Sequence, residues 1–281
     1  MKMEKDKVNK NLLVIKIGGA LFKQGIDSLL DDMKNLIEEE YQFVIVHGGG
    51  PQINWIEKEM GREPKIYETK SGMKTRHTDQ ETMEVVKMAL GGYVNKSIVE
   101  QCQLKGINAF GFSGVDGRTL SAKRKEKIMV MRKGRRMILR GEFSGKVHQA
   151  NCNIIKYLLS QNMTPVIGSI AADEEGNAVN TDGDRATSAI AAELGAAGLI
   201  SLTDVEGIYR DFESKEVIPQ LNLAQAKGTL EKVKGGMKKK LYAAIEALEK
   251  GLNQVFIYSG QVETPISDIL KQKKGTKIHI N

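Results

Sequence analysis

Two glycine-rich segments, each directly after a run of apolar residues, offer the clearest chemistry in this sequence. The first contains Lys16, Gly18 and Gly19, and the second is the triple glycine 48–50. Glycine lets the backbone approach a ligand closely, and successive N–H groups at a loop-to-helix junction form a cradle for an anion. A lysine beside such a cradle adds a positive charge suited to phosphate. The two segments therefore predict a site that handles phosphate.

The elements that must position these residues alternate between strands and helices. Residues 12–15 and 43–46 are short apolar runs rich in β-branched residues, which are typical of buried parallel strands. We predict further strands over 107–112, 164–167, 199–202, 254–258 and 277–280, and helices over 26–39, 52–60, 79–105, 151–161, 184–194 and 237–250. The longest helix is predicted to follow an N-cap at Thr78, since Glu81 completes a capping box. The alternation predicts an α/β fold, a three-layer αβα sandwich with a mostly parallel central sheet.

The composition and the charge argue against several classes of protein. Of the 281 residues, 41% are hydrophobic, which is enough for a sizeable core. No apolar run approaches the roughly 20 residues that a membrane span needs, and the charged N-terminus predicts no signal peptide. Cys102 and Cys152 have neither metal-ligand spacing nor a disulfide framework. We therefore expect a cytoplasmic protein, and the net charge of +7 favours an acidic partner or substrate.

One segment, 118–143, interrupts the alternation and is predicted to form a protruding β-hairpin that turns at Lys133-Gly134. Its apolar residues alternate with basic ones, and Glu126 is the one acid between 123 and 140. The basic residues are Lys123, Arg124, Lys125, Lys127, Arg132, Lys133, Arg135, Arg136 and Arg140. Such a field would steer an acidic macromolecule toward the hairpin. The alternative interpretation is a charged hairpin that is solvated and has no partner.

The familiar nucleotide-binding motifs are missing from the sequence. No glycine pair is followed at P-loop spacing by Lys and then Ser or Thr, and protein-kinase signatures are absent. The glycines between 111 and 117 do not have the dinucleotide-binding spacing. A protein of this sequence that transfers phosphoryl groups must therefore use another arrangement.

Seven motifs in a fixed order resemble the amino-acid kinase family, and more closely its branch of acylated-glutamate kinases. They begin at Lys16, His47, Asp79, Ser113, Asn180, Leu202 and Gly235 and read KIGGAL, HGGGP, DQETM, SGVDG, NTDGD, LTDVEG and GGMKKK. The resemblance implies that a carboxylate attacks the γ-phosphorus of ATP and becomes an acyl phosphate. It also implies a homodimer, with an N-terminal lobe, 1–196, for the amino-acid substrate and a C-terminal lobe, 197–281, for the nucleotide.

The resemblance further implies roles for individual residues. Lys16 and Lys240 are expected to hold the transferring phosphoryl group from two sides, with Asp184 between them as organiser. The amino-acid substrate is expected to contact Gly49, Gly50, Arg76 and Asn180, and Arg76 would clamp its α-carboxylate. The nucleotide and its phosphates are assigned to Gly18, Gly19, Gly48, Asp204 and Tyr209. Mg²⁺ is expected to be held mainly by the ATP phosphates, with direct binding by Asp182 and Asp184 as the alternative. His47 is interpreted as a structural residue that fixes the glycine turn.

The sequence leaves two kinase types as alternatives, which differ in their substrate. One is the kinase of arginine synthesis, which acts on free N-acetylglutamate, and the other acts on α-aminoadipate or glutamate joined to a small acidic amino-group carrier protein. The residues around Arg76 and the basic hairpin favour the second type, with Arg132, Lys133, Arg135 and Arg136 as the expected carrier contacts. The role of His77 is open, because the carrier type usually has tyrosine at this point. A nucleic-acid-binding regulator is a further alternative, which the scarcity of aromatic residues in the hairpin disfavours.

Overall fold

The structure is a computed structural model that describes residues 9–69, 72, 74–132, 135–211, 213–271 and 274–280. Its α-helices are Gly19–Gln24 (α1), Asp27–Glu38 (α2), Gly50–Glu59 (α3), Gln80–Val86 (α4), Val94–Leu104 (α5), Asn153–Ser160 (α6), Gly183–Glu193 (α7), Leu223–Thr229 (α8), Gly235–Glu249 (α9) and Pro265–Leu270 (α10). Its first nine strands are Asn9–Ile17 (β1), Gln42–His47 (β2), Ile66–Glu68 (β3), Lys74–Arg76 (β4), Ala109–Ser113 (β5), Leu120–Arg124 (β6), Lys127–Arg132 (β7), Arg135–Arg140 (β8) and Ser144–Ala150 (β9). The other strands are Thr164–Gly168 (β10), Ile170–Ala172 (β11), Ala178–Thr181 (β12), Ala196–Thr203 (β13), Tyr209–Asp211 (β14), Glu216–Val217 (β15), Gln220–Asn222 (β16), Gln254–Ser259 (β17) and Thr276–His279 (β18).

An eight-stranded sheet in the order β16-β18-β17-β13-β1-β2-β10-β5 forms the middle of the molecule. Neighbouring strands from β17 to β5 are parallel. At the other edge β18 runs antiparallel to β17, and β16 is parallel to β18. The predicted mostly parallel sheet is therefore confirmed.

Alternation along the strands produces the three layers. In β1, Leu12 and Val14 belong to a core cluster that includes residues of α6, α7 and α9, whereas Leu13 and Ile15 belong to a second cluster with residues of α2, α5 and α10. Successive side chains of a strand point to opposite faces, so each face of the sheet has its own apolar layer and its own helices. Lys16 is in phase with Val14 and therefore lies on the face of α7 and α9.

The predicted long helix over 79–105 is wrong as a single helix. A π-helical stretch, Lys87–Tyr93, separates α4 from α5. The N-cap is also one residue later than predicted, because a carboxylate oxygen of Asp79 accepts the N–H of Thr82 at 2.9 Å. The hydroxyl of Thr78 instead accepts a hydrogen bond from Asn180 at 3.1 Å.

The predicted single hairpin over 118–143 is also corrected. Strands β7 and β8 do form a hairpin, and they extend a four-stranded sheet in the order β4-β3-β7-β8. Strands β6 and β9, however, pair with each other inside a small closed barrel, β11-β12-β9-β6. The predicted turn at Lys133-Gly134 lies outside the described residues. Lys123, Arg124 and Lys125 thus lie at the barrel, and the hairpin proper is 127–140.

The sheet continues through the point at which the two lobes were predicted to divide. Residue Ala196 is the first of β13, and β13 pairs along β1 on one side and β17 on the other. The strands of the N-terminal part lie on the β1 side of this junction, and the later strands lie on the β13 side. Within the described ranges, no helix has the length and apolar character to cross a membrane.

Candidate active site

A buried cluster of two lysines and one aspartate lies at the C-terminal ends of the two central strands. Lys16 Nζ is 3.1 Å from Asp184 Oδ1, and Lys240 Nζ is 3.3 Å from the same oxygen. Lys16 is near the end of β1, Asp184 is in the first turn of α7, and Lys240 is in the first half of α9. The structure thus brings together the three residues predicted to be catalytic, although they are far apart in the chain.

The neighbouring strand fixes the second lysine of this cluster. Ser201 in β13 is the direct strand partner of Lys16. Its Oγ lies 3.2 Å from Lys240 Nζ and 3.4 Å from Asp184 Oδ1. Lys240 Nζ also donates to the carbonyl oxygen of Leu202 at 3.4 Å. The ammonium group is therefore oriented by three acceptors before any ligand binds.

Burial and mutual charge shift the pKa values of all three groups. Burial would raise the pKa of Asp184, but Lys16 and Lys240 together hold it well below its usual range. Burial lowers the pKa of Lys240 to about 8, and the nearby charge of Lys16 adds to this effect. Burial also opposes the charge of Lys16, but Asp184 outweighs it and raises the pKa of Lys16. With both lysines protonated the cluster has a net charge of +1, which suits an anionic ligand.

The two glycine segments pack directly against each other. A Cβ on Gly19 would lie 2.8 Å from Pro51 Cδ and 2.9 Å from Gly49 Cα. A Cβ on Gly49 would lie 2.5 Å from Leu90 Cδ2. Both positions therefore require glycine for close approach, and the segments form one continuous surface beside Lys16.

Gly48, which was predicted to contact the phosphates, makes a backbone contact to β1. Its N–H already donates to the carbonyl oxygen of Ile17 at 3.2 Å. Its Cα lies 3.6 Å from the site where a Cβ of Gly183 would be, and that same site is 3.6 Å from Lys16 Cε. Gly183, the first residue of α7, therefore lies beside both Gly48 and Lys16. Gly18, the N-cap of α1, would place a Cβ 3.6 Å from Lys16 Nζ.

His47 has the structural contacts that were predicted for it. It is fully buried, Nδ1 donates to the carbonyl oxygen of Gly48 at 3.0 Å, and Nε2 accepts from Asn95 Nδ2 at 3.1 Å. Burial lowers its pKa to about 4, so the ring is neutral at pH 7. A neutral ring with both nitrogens engaged supports the turn and is not available as a general base.

The π-helical stretch is a component of the site that sequence reasoning missed. It carries Leu90, which packs on Gly49 and whose carbonyl oxygen would be 2.9 Å from a Cβ on Gly168 at the end of β10. Such bulges are frequent at functional sites. The pair Gly91-Gly92 inside an otherwise apolar helical pattern was the available signal.

A cavity of about 620 Å³, called the amino-acid cavity below, is lined by two of the four residues predicted to bind the amino acid. Its lining includes Arg76, Asn180, Asp182, Ser144 and Lys239. Arg76 Nη1 pairs with the buried Glu57 at 2.5 Å, while Nη2 donates to Asn54 and, at 3.3 Å, to the carbonyl oxygen of Gly50. Arg76 therefore lies beside Gly50, and Glu57 and Asn54 fix its guanidinium in place.

Lys239, next to Lys240 in the GGMKKK motif, is a further residue of this cavity. Its Nζ donates to the carbonyl oxygen of Lys74 in β4 at 2.8 Å and it lines the amino-acid cavity. Lys238 lines the same cavity. The sequence could not predict that α9 contacts β4, because the two residues in this contact are 165 positions apart in the chain.

A second cavity, of about 780 Å³, borders the cluster at Lys240. Asp204 and Tyr209 also line it. The sequence analysis did not single out Lys232, Lys234 and Arg210, which also line it. Lys240 therefore borders this cavity and at the same time contacts Asp184. The volume and the basic lining fit a nucleoside triphosphate.

Each of the two acidic residues near the cluster makes its contacts through Oδ1. Asp182 is the N-cap of α7 and accepts the N–H groups of Asp184 and Arg185, while Asp184 holds the two lysines. Among the residues that the structure describes, no group of three or more His, Cys, Asp and Glu side chains could hold a metal ion. These contacts favour Asp184 as an organiser of lysines over direct coordination of a metal.

The hairpin presents its predicted carrier contacts on an exposed surface. Arg132, Arg135 and Arg136 line a shallow cavity of about 500 Å³ near its end, and Lys133 lies outside the described residues. Arg132 is directly opposite Arg135, and Lys127 is opposite Arg140. Like charges in direct opposition destabilise a strand pair, so an acidic partner would relieve an existing repulsion.

Comparison with known proteins gives the same result as the motifs. A match to the amino acid kinase family spans residues 11–259. A protein of Nitrosopumilus maritimus, provisionally named a LysW-aminoadipate/LysW-glutamate kinase, is 40% identical over 268 residues, covering 95% of this chain and 99% of that protein. The LysW-aminoadipate/LysW-glutamate kinase of Saccharolobus solfataricus is 38% identical over 269 residues, covering 95% and 99%. The crystal structure of smu.665 from Streptococcus mutans has a TM-score of 0.77 at 25% identity and covers 97% of this chain and 100% of that one. The predicted resemblance and the predicted kinase class are confirmed.

Proposed function

Since this chain belongs to the amino acid kinase family, we propose that it transfers the γ-phosphoryl group of ATP to the side-chain carboxylate of an amino acid with a blocked amino group. The observation that carries the proposal is the Lys16–Asp184–Lys240 cluster, which borders one cavity through Lys240. The chain neighbours Asp182 and Lys239 of this cluster line the other cavity. The first cavity has the size and charge for a nucleotide, and the second has a fixed arginine for a carboxylate.

The reaction needs positioning and charge more than proton transfer. A carboxylate is ionised at pH 7, so its oxygen can attack the γ-phosphorus without a general base. A bond forms between that oxygen and phosphorus, the bond to the β-phosphate oxygen breaks, and ADP leaves with the electron pair. Negative charge develops on the transferring oxygens, and buried cations stabilise it strongly.

Each member of the cluster has a separate role in this mechanism. Lys16 contacts the transferring group beside the glycine surface formed by Gly18, Gly19 and Gly49. Lys240 borders the nucleotide cavity and contacts the phosphates from that side. Asp184 keeps both ammonium groups charged and oriented before ATP binds. When bound, Mg²⁺ would further neutralise the phosphate charge; it would be held mainly by the nucleotide, since Oδ1 of Asp182 caps α7 and Oδ1 of Asp184 holds the two lysines.

The remaining predicted contacts divide between the two cavities. In the amino-acid cavity, Arg76 binds the α-carboxylate and Glu57 fixes its orientation, while Asn180 and the backbone of Gly49 and Gly50 contact the other substituents. In the nucleotide cavity, Asp204 and Tyr209 contact the nucleoside. We accordingly assign 1–196 to the amino-acid lobe and 197–281 to the nucleotide lobe.

We further propose that the amino acid is α-aminoadipate or glutamate joined to a small acidic carrier protein. Two relatives are named for a LysW-linked substrate, and the opposed basic residues of β7 and β8 form a surface for an acidic partner. Arg132, Lys133, Arg135 and Arg136 are the proposed contacts. Binding of nucleic acid is disfavoured, because the guanidinium of Arg124 covers the Phe143 ring at 3.5 Å, and Phe143 is the nearest aromatic for base stacking.

The proposed assembly is a cytoplasmic homodimer. Trp55, Tyr93 and Phe22 form an aromatic cluster on the N-terminal part, in which Trp55 is 48% and Tyr93 47% exposed. Exposed aromatic clusters are typical of protein–protein contacts.

Cys102 and Cys152 are buried free thiols, and burial raises the pKa of each to about 12, so both are unreactive.

Trapping of the acyl phosphate with hydroxylamine tests the proposal. The protein, ATP and Mg²⁺ are incubated with free N-acetylglutamate, with carrier-linked glutamate or with carrier-linked α-aminoadipate, and the hydroxamate is measured. We expect hydroxamate from the carrier-linked compounds and none from the unloaded carrier. Turnover of free N-acetylglutamate alone would favour the kinase of arginine synthesis, and no hydroxamate from any substrate would overturn the proposed activity.

A further inference from the structure

A buried carboxylate, Glu142, joins the base of the hairpin to the wall of the amino-acid cavity. Glu142 lies between β8 and β9 and is 0% exposed. Its Oε1 accepts the backbone N–H of Thr78 at 3.2 Å and that of Ser144 at 3.0 Å. One oxygen thus holds two segments, of which one precedes α4 and the other begins β9. Burying a carboxylate costs free energy, so this position needs a reason beyond filling space.

The second oxygen of Glu142 faces His77. Within the described part of the chain, Oε2 has no hydrogen-bond partner, and it lies 3.9 Å from His77 Nε2. The same nitrogen is 3.0 Å from the carbonyl oxygen of Arg140, the last residue of β8. Because a carbonyl oxygen can only accept, Nε2 bears the proton. The N–H of His77 therefore donates to the last residue of β8, and its nitrogen lies close to the buried carboxylate.

The segments that Glu142 holds in turn orient Asn180. The side-chain amide of Asn180 donates to Thr78 Oγ1 at 3.1 Å, and its backbone N–H donates to the carbonyl oxygen of Phe143 at 2.8 Å. Phe143 N–H donates to the carbonyl oxygen of Thr78 at 2.6 Å, which closes the network. Asn180 is also the direct partner of Ser144 where β12 pairs with β9. Both Asn180 and Ser144 line the amino-acid cavity.

We propose that Glu142, together with His77, is a positioning residue for the amino-acid substrate and couples the hairpin to the cavity. It does not touch the substrate; it holds Thr78 and Ser144, and through them it sets the direction of Asn180. The identity of the substrate rests on the function proposed above. The role assigned to Glu142 and His77 rests on the hydrogen bonds that Glu142 Oε1 accepts and on the 3.9 Å approach of His77 Nε2 to Glu142 Oε2.

Steady-state kinetics of four proteins test this role: the wild type, Glu142→Gln, His77→Phe and His77→Gln. Glu142→Gln keeps an acceptor for the two backbone N–H groups but turns an amide N–H₂ toward the N–H of His77. His77→Phe removes that N–H, whereas His77→Gln provides an amide donor in its place. We expect Glu142→Gln and His77→Phe to raise the KM for carrier-linked α-aminoadipate about tenfold, with kcat and the KM for ATP within about twofold of wild type. We expect His77→Gln to restore a KM close to that of the wild type.

The double variant and a matched control separate positioning from general loss of stability. Glu142→Gln and His77→Phe break the same link, so the double variant should have a KM close to that of either single variant. Asp32 is a buried carboxylate whose Oδ2 accepts two backbone N–H groups, from Ile266 and Ser267, on α2 and outside the site. Asp32→Asn should lower the melting temperature and leave every KM unchanged.

Several outcomes would overturn the proposal. These are an unchanged KM in both Glu142→Gln and His77→Phe, equal KM values for His77→Gln and His77→Phe, or multiplication of the two effects in the double variant. If the wild type phosphorylates only free N-acetylglutamate, the carrier is wrong, but the same variants measured with that substrate still decide the role of Glu142. A raised KM there supports the positioning role, and an unchanged KM refutes it.

Discussion

Basic side chains form two regions of this molecule that differ in almost every physical respect. Lys16 and Lys240 are buried around one carboxylate, whereas Arg132, Arg135 and Arg136 are exposed on a hairpin that places like charges opposite each other. Charges that are buried interact strongly and are little screened by salt, while exposed charges act over longer distances and are screened. The first region is therefore suited to the chemical step and the second to the encounter with a partner.

Removal of one buried lysine is expected to have the largest effect. Lys16→Ala or Lys240→Ala should each lower kcat by about 10²–10³, because each removes a preorganised cation from the developing charge. Circular dichroism should report a folded protein in both cases. Lys250→Ala, at the exposed C-terminal end of the same helix as Lys240, is the matched control and should retain wild-type turnover. Near-normal rates in either active-site variant would place the chemistry elsewhere.

The pH dependence sharpens the contrast between the two regions. Burial lowers the pKa of Lys240 to about 8, so its ammonium loses its proton at a pH where exposed basic groups keep theirs. The kcat/KM for ATP should therefore fall above pH 8, by about tenfold per pH unit. Lys240→Arg keeps the charge, since guanidinium remains protonated, and should move the alkaline decline beyond pH 10. An unchanged profile in this variant would show that another group titrates.

Charge reversal on the hairpin is expected to have the smallest effect and the strongest dependence on salt. Arg135→Glu/Arg136→Glu should raise the KM for a carrier-linked substrate about tenfold at low ionic strength and much less at 0.5 M salt. The rate with saturating substrate should stay close to that of the wild type. Lys34→Glu/Lys58→Glu, which makes the same change in net charge on the exposed faces of α2 and α3, should leave the KM unchanged. If the two double variants raise the KM equally, the total charge of the protein, and not the hairpin, determines binding of the carrier.

Local patterns sufficed for the sheet and for the glycine segments. Apolar runs bounded by glycine predicted the central strands. Gly19 and Gly49 lie where the backbone approaches its neighbours too closely for a side chain, so the presence of glycine itself marked these positions in the sequence. The relation of Lys16 to Lys240 could not be worked out from their spacing, and it followed only from the resemblance to a family. The family assignment is confirmed, while the individual residue roles remain predictions.

Contacts between distant segments account for what the sequence did not predict. The capping of α4 by Asp79 frees Thr78 to bind Asn180, which is 102 residues away. Strands β6 and β9 leave the hairpin because they pair inside a barrel with β11 and β12. The contacts of Glu142 and Lys239 form only when separate elements pack against each other. Hydrophobic periodicity and residue propensity describe single elements, so they do not predict contacts between elements.

Because Lys16 and Ser201 are paired residues on adjoining strands, the backbone hydrogen bonds between β1 and β13 fix Lys16 relative to the hydroxyl that contacts Lys240. A hinge cannot open there without breaking that ladder. A longer or shorter substrate side chain must therefore be accommodated where Lys239 of α9 contacts β4. Engineering of the preference for substrate chain length should accordingly begin with the residues around this contact and leave β1 and β13 unchanged.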